Sequence, residues 1–158
     1  MKMSYIIILS CILLAGLAVM PVSAFTANTL DFKIDEKGDA QVVMTYSLNA
    51  IESGAIVAKG VGSVGVVQAL VDESLPYSAK VKTVELGKAT MTIPGFATGN
   101  AGIKTTKEFS MQPAQDKASK YWFEFGSNFA PKETTITFEN GKVYTYKNQM
   151  RIPTTSNT

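Results

Sequence analysis

The chain has 158 residues, with 15 Lys and Arg against 13 Asp and Glu, no histidine and a single cysteine, Cys11. Without histidine there is no imidazole base, catalytic triad or His-ligated zinc, and one cysteine cannot close an intrachain disulfide or hold a thiolate cluster. The near-balanced charge contains no run of five like charges, which excludes the concentrated basic footprint of a nucleic-acid binder or a polybasic lipid anchor.

Residues 1–24 read as a signal peptide. Lys2 supplies the positive start, Tyr5–Met20 the apolar run, and Pro21 breaks it before Val22-Ser23-Ala24, a small-x-small cleavage pattern. Cleavage is expected after Ala24, giving a secreted or cell-envelope-associated chain. The other outcome is retention as an anchor, for which Tyr5–Met20 is short of the ~20 apolar residues of a span. The remainder is one domain by size, 25–150, followed by a Thr/Ser-rich tail, 151–158, expected to be flexible.

Leu30, Phe32 and Ile34 alternate with polar residues, as do Ala40, Val42, Met44, Tyr46 and Leu48. A loop of Glu36, Lys37 and Gly38 with Gly38 left-handed sets Ile34 against Ala40, Phe32 against Val42 and Leu30 against Met44. All apolar residues then share one face. A two-residue Lys37-Gly38 loop would mix the faces.

Asn49 with Glu52 resembles a capping box, and Ile51, Ala55 and Ala58 recur at helical spacing, so a helix is expected over Ala50–Lys59. Gly60, Gly62 and Gly65 break it. Val66, Val67, Leu70 and Val71 form a second apolar helical face that ends before Pro76. Gly54, Ala58 and Gly62 also carry the small-residue spacing of membrane helix pairs. Glu52, Lys59 and Asp72 leave too short an uncharged stretch for a span, so core helices are preferred to membrane insertion through residues 54–71.

A second hairpin is expected from Lys80–Leu86 and Ala89–Ile93, turning at Gly87-Lys88 with Leu86 opposite Ala89 and Val84 opposite Met91. Pro94–Gly102 is a loop, Ile103–Phe109 an edge strand guarded by Lys104 and Lys107, and Gln112–Trp122 a helix capped by Ser110 or Gln112 with Pro113 in its first turn. Tyr121, Trp122, Phe123, Phe125 and Phe129 supply core aromatics. Thr134–Glu139 and Lys142–Lys147 form the last hairpin. Read as a type I′ turn, Asn140-Gly141 sets Phe138 against Val143 and Ile136 against Thr145, leaving Thr135, Thr137, Tyr144 and Tyr146 on the other face. The fold class is α+β: an antiparallel sheet built from hairpins with two or three short helices packed on one face.

Gly60–Gly65 matches GxGxxG but follows a helical pattern rather than a strand, against a nucleotide site. Asp35, Glu36 and Asp39 crowd one turn yet lack the spacing of a calcium loop, so neither cofactor nor metal is expected. Paired carboxylates could hydrolyse glycans, but nothing in the sequence pairs any two.

Tyr46-Ser47-Leu48, Ile93-Pro94-Gly95-Phe96, Tyr121-Trp122-Phe123, Thr134–Phe138 with Asn140-Gly141, and Ile152-Pro153 together resemble small exported proteins of methanogenic archaea. The resemblance implies export and fold, and no functional residue. The expected function is non-enzymatic binding or assembly at or outside the cell envelope, with Thr135, Thr137, Tyr144 and Tyr146 as the partner or self-association face. Nucleic acid is not expected as a partner, nor is membrane contact after signal cleavage. The alternatives are a carboxylate-dependent hydrolase of envelope glycans and a membrane-interacting protein.

Overall fold

The computed structural model describes residues 25–48, 64–100, 102–117 and 128–158. Strands β1 (Thr26–Ile34), β2 (Ala40–Ser47), β3 (Lys80–Glu85), β4 (Lys88–Ile93), β8 (Glu133–Phe138) and β9 (Val143–Lys147) form one six-stranded sheet, in the order β3-β4-β2-β1-β8-β9. Two helices are described, α1 (Val64–Ser74) and α2 (Gln112–Lys117). Short strands β5 (Ala97–Thr98) and β6 (Thr105–Thr106) pair with each other, as do β7 (Phe109–Ser110) and β10 (Arg151–Ile152). The fold is mixed α/β with a mostly antiparallel sheet. The signal segment, the helix expected over Ala50–Lys59 and the aromatics Tyr121–Phe125 lie outside the described residues.

The first hairpin follows the register dictated by its alternation. Ile34 opposes Ala40, Phe32 opposes Val42 and Leu30 opposes Met44. Asp35 N–H donates to Asp39 O at 3.0 Å, leaving Glu36, Lys37 and Gly38 as the loop, with Gly38 at φ +86°. Asp35 Oδ1 accepts from the Lys37 and Asp39 amides at 2.9 Å each. Asp39 Oδ1 accepts from the Gly95 amide at 2.8 Å. Two carboxylates of the acidic turn are therefore hydrogen-bonded to backbone, the ordinary turn use of Asp.

The centre of the sheet departs from an all-antiparallel arrangement. β8 runs parallel to β1, with Leu30 beside Thr134, Phe32 beside Ile136 and Ile34 beside Phe138. A parallel neighbour needs a long crossover, and the chain between β2 and β8 provides it. The pairing extends the apolar face of the first hairpin sideways. Phe32, Phe96 and Phe109 meet on that face, and Val71 of α1 and Ala114 of α2 pack against the same core.

Two hairpins turn differently from expectation. In the second, the loop is Leu86-Gly87, with Glu85 opposite Lys88 and Val84 opposite Ala89. A bulge at Lys82 then brings Val81 opposite Met91. The bulge lets two valines spaced three apart both point inward, and Leu86 is left 63% exposed at the turn. In the last hairpin, Phe138 N–H donates to Lys142 O and Gly141 N–H to Phe138 O, each at 2.9 Å. The loop is Glu139-Asn140-Gly141 with Gly141 at φ +83°. Asn140 has no positive φ, so the turn is not type I′. Ile136 consequently opposes Tyr144, and Thr135 opposes Thr145.

The expected edge strand Ile103–Phe109 is replaced by β6 and β7, neither of which joins the large sheet. The tail takes their backbone groups instead. Ile152 is buried opposite Phe109. Thr106 N–H donates to Thr155 O at 2.8 Å, and Thr155 N–H returns to Thr106 Oγ1 at 2.9 Å. Asn157 bonds Lys104 in both directions, with Lys104 N–H reaching Asn157 Oδ1 at 2.6 Å. Short hydroxyl and amide side chains, read as marks of disorder, serve here as local partners for buried backbone.

Helix α1 (Val64–Ser74) carries the apolar face of Val66, Val67, Leu70 and Val71 and ends before Pro76 as expected, but it includes Gly65, which the glycine spacing assigns to the break. Ser110 Oγ accepts the Gln112 amide at 3.2 Å and caps α2. No helix among the described residues is long and apolar enough to cross a membrane.

Candidate functional site

The four residues expected to share a partner face are split between the two sides of the sheet. Lengthening the last loop by one residue flips every β9 side chain, so Tyr144 and Tyr146 turn to the core side while Thr135 and Thr137 stay outside. Tyr144 OH donates to Ser156 O at 2.6 Å, and the Tyr146 hydroxyl meets Thr155 Oγ1 at 2.7 Å. Burying two aromatic rings whose hydroxyls find partners outweighs burying Val143 and Thr145; Val143 is left 53% exposed.

Thr135 and Thr137 belong to a wider outer face. One row across the sheet runs Thr83, Thr90, Val43, Asp31, Thr135, Thr145. Its threonines are partly paired with each other: Thr83 with Thr90 at 2.7 Å, and Thr29 with Thr45 in the next row at 2.8 Å. Such cross-strand pairs stabilise a sheet without any ligand.

The two edges of the sheet differ. At β3, the Gln68 side chain of α1 acts as a substitute strand. Its Nε2 donates to Ala79 O at 2.8 Å, and its Oε1 accepts Val81 N–H at 2.7 Å. At β9 nothing comparable occurs among the described residues. Phe138 and Lys142 form a hydrogen-bonded pair, and Asn148 N–H reaches Lys132 O at 3.2 Å. By the antiparallel alternation, Tyr144 and Tyr146 bond to β8 while the N–H and C=O groups of Val143, Thr145 and Lys147 point outward. These three residues are exposed.

At the loop end of the parallel pair, the first and last hairpin turns come together around an open cleft of about 360 Å³. Asp35, Glu36, Glu139, Lys104 and Asn157 line it, over a floor of Ile34 and Phe138. The Glu139 carboxyl is pushed above its ordinary range. Lost hydration at the crowded loop end is the first cause, followed by the neighbouring carboxyls of Glu36 and Asp35, against the opposing pull of Lys104. No group of three potential ligands able to hold a metal ion occurs among the described residues.

An apolar cavity of about 100 Å³ lies between the core face of the sheet and the two helices. Met44 and Met91 line it from the sheet, Val67, Leu70 and Ser74 from α1, and Ala114 from α2. Nothing in the sequence pattern announces it, because its walls are ordinary core positions. The membrane-helix reading fell partly on Val67, Leu70 and Val71; all three face this cavity.

No known protein family matches the chain, and neither a curated protein nor a solved structure is similar to it.

Proposed function

We propose that this is an exported, non-enzymatic protein that acts at or outside the cell envelope by assembly, and that β9 is the joining edge. The observation that carries the reading is the asymmetry of the sheet: Gln68 occupies the β3 edge, whereas the outer backbone groups of Val143, Thr145 and Lys147 have no partner among the described residues. An unpaired edge is a template for strand addition. The occupant that fits is a second copy in a twofold pairing centred on Thr145. That register puts Thr145 against its own equivalent and Lys147 against Val143, so no like charges face each other directly. The signal-peptide pattern of residues 1–24 and the resemblance to exported methanogen proteins support the address.

Thr145→Pro tests the edge. The Thr145 N–H points away from β8, so proline leaves the β8–β9 ladder intact while removing the central donor of the joint. The parent is expected to sediment as a dimer and the variant as a monomer of similar thermal stability. A parent that stays monomeric at every concentration, or a folded variant that still associates, overturns the proposal.

The hydrolase reading gains one observation, the carboxylates gathered in the cleft, and loses on geometry. Glycoside hydrolysis needs two carboxyl groups held about 5 Å or more apart around the scissile bond, whereas Glu36 and Glu139 lie on exposed hairpin turns with no side chain among the described residues holding them at a fixed separation. Glu139→Gln addresses both the chemistry and the fold. Loss of turnover on a glycan panel is what the hydrolase requires, and a parent with no turnover removes that reading. For the fold, a carboxyl whose pKa is higher in the folded state loses stability as pH rises through the shifted range. Glu139→Gln is therefore expected to raise the melting temperature near neutral pH and leave it unchanged at about pH 3.

A further inference from the structure

We infer that the cavity between the sheet and the helices is a binding site for a small uncharged amphiphile, a short or branched alcohol, with its alkyl part among Val67, Leu70, Met44 and Met91 and its oxygen on Ser74. The cavity wall is almost entirely apolar. Ser74, in the last turn of α1, is 8% exposed, and its Oγ is buried without a hydrogen-bond partner among the described residues. The other polar atoms at the wall are engaged. Tyr46 OH donates to Glu85 O at 2.5 Å, and Ser110 Oγ accepts from Gln112.

One unpartnered hydroxyl is too few for a stable buried water, which needs two to four polar partners. It suits a ligand that carries one oxygen on a hydrocarbon body. Size narrows the class. A 150 Å³ apolar cavity accommodates benzene, so about 100 Å³ takes roughly four carbons, too few for an acyl chain.

Ser74, Leu75 and Ser110 also line a neighbouring open cleft of about 440 Å³ that includes Glu73 and Glu108. Ser74 therefore stands where the dry cavity meets this polar vestibule, the place for an amphiphile's oxygen. The vestibule's carboxylates disfavour an anionic head. Glu108 already pairs with Arg151 at 2.7 Å, which leaves it little attraction for a cationic one. A hydroxyl can donate to or accept from Ser74 in either sense. The site is independent of the β9 edge, so Thr145→Pro should leave it unchanged.

The test is methyl NMR of the full chain, following Met44 and Met91 during titration with isobutanol and, separately, under xenon pressure. Both probes are expected to shift the two methyls in the parent. Ser74→Ala is expected to weaken isobutanol about fivefold, the worth of one ordinary hydrogen bond, and to leave xenon unchanged. Val67→Phe, which fills the cavity, should abolish both responses. Three results overturn the inference: no isobutanol shift at these methyls up to its solubility, equal isobutanol affinity in parent and Ser74→Ala, or xenon binding without isobutanol binding.

Discussion

Gly38→Ala is expected to destabilise the protein by about 3 kcal/mol or more, against about 1 kcal/mol for Gly141→Ala. Both glycines occupy the left-handed position of a three-residue hairpin loop, at φ +86° and +83°. The conformational penalty for a side chain is therefore the same at the two sites. They differ in what surrounds them. A Cβ on Gly38 would overlap the carbonyl oxygen of Ala97, whereas one on Gly141 meets nothing. Gly38 O also accepts the Ala97 amide at 2.8 Å, so the turn is clamped backbone to backbone onto β5. The obstacle is main chain and cannot rotate aside, so the loop or β5 must move. Denaturant unfolding of the two variants, measured in parallel, checks this. Equal losses would mean that the first turn does not sit on β5.

Phe32→Ala is expected to cost about 3–5 kcal/mol, the range for emptying a fully buried aromatic site. Phe32 is 0% exposed on β1, one of the two central strands of the sheet. Its ring stacks on Phe96 at 5.1 Å and meets Phe109 edge-on, also at 5.1 Å. It thus joins the large sheet to the loop that follows β4 and to β7. A domain typically has about 5–15 kcal/mol in total, and a chain with one cysteine has no intrachain disulfide to limit the loss. The variant should show a much lower denaturation midpoint. Val143→Ala, at an exposed position of the same sheet, is the control and should change stability by under about 0.5 kcal/mol.

The two outer hairpins show where pattern reading stopped working. In the first hairpin both strands alternate apolar with polar, so only one loop length keeps Leu30, Phe32, Ile34, Val42 and Met44 together, and the observed register is that one. In β9 both faces are acceptable: Val143 with Thr145, or Tyr144 with Tyr146. Alternation cannot choose between them. The choice rests on Ser156 O and Thr155 Oγ1, which receive the tyrosine hydroxyls and belong to a segment whose docking no local signal reveals. The β3–β4 register depends in the same way on a bulge at Lys82, which Val81 and Val84 require together.

The candidate sites were legible to different degrees. The Thr/Tyr residues stood out by type but were assigned to one face, and the structure divides them. The open β9 edge becomes visible only when strand order is known, because an edge is a property of the sheet and not of a strand. The cavity and the Ser74 hydroxyl carry no local signature at all. The meeting of Glu36 with Glu139 follows from the parallel β1–β8 pairing, which brings together two turns far apart in the chain.

From the residues alone come the absence of histidine chemistry, the amphipathic strands, a cap for α2 at Ser110 or Gln112 and the conformation at Gly38. Each is settled within a few neighbouring residues, by side-chain type and by steric limits on the backbone. Strand order, the parallel pairing at the centre, the facing of β9 and the docking of the tail were decided only by tertiary packing. These choices depend on which distant groups compete for the same apolar surface and the same hydrogen bonds, and that competition exists only once the chain is closed on itself.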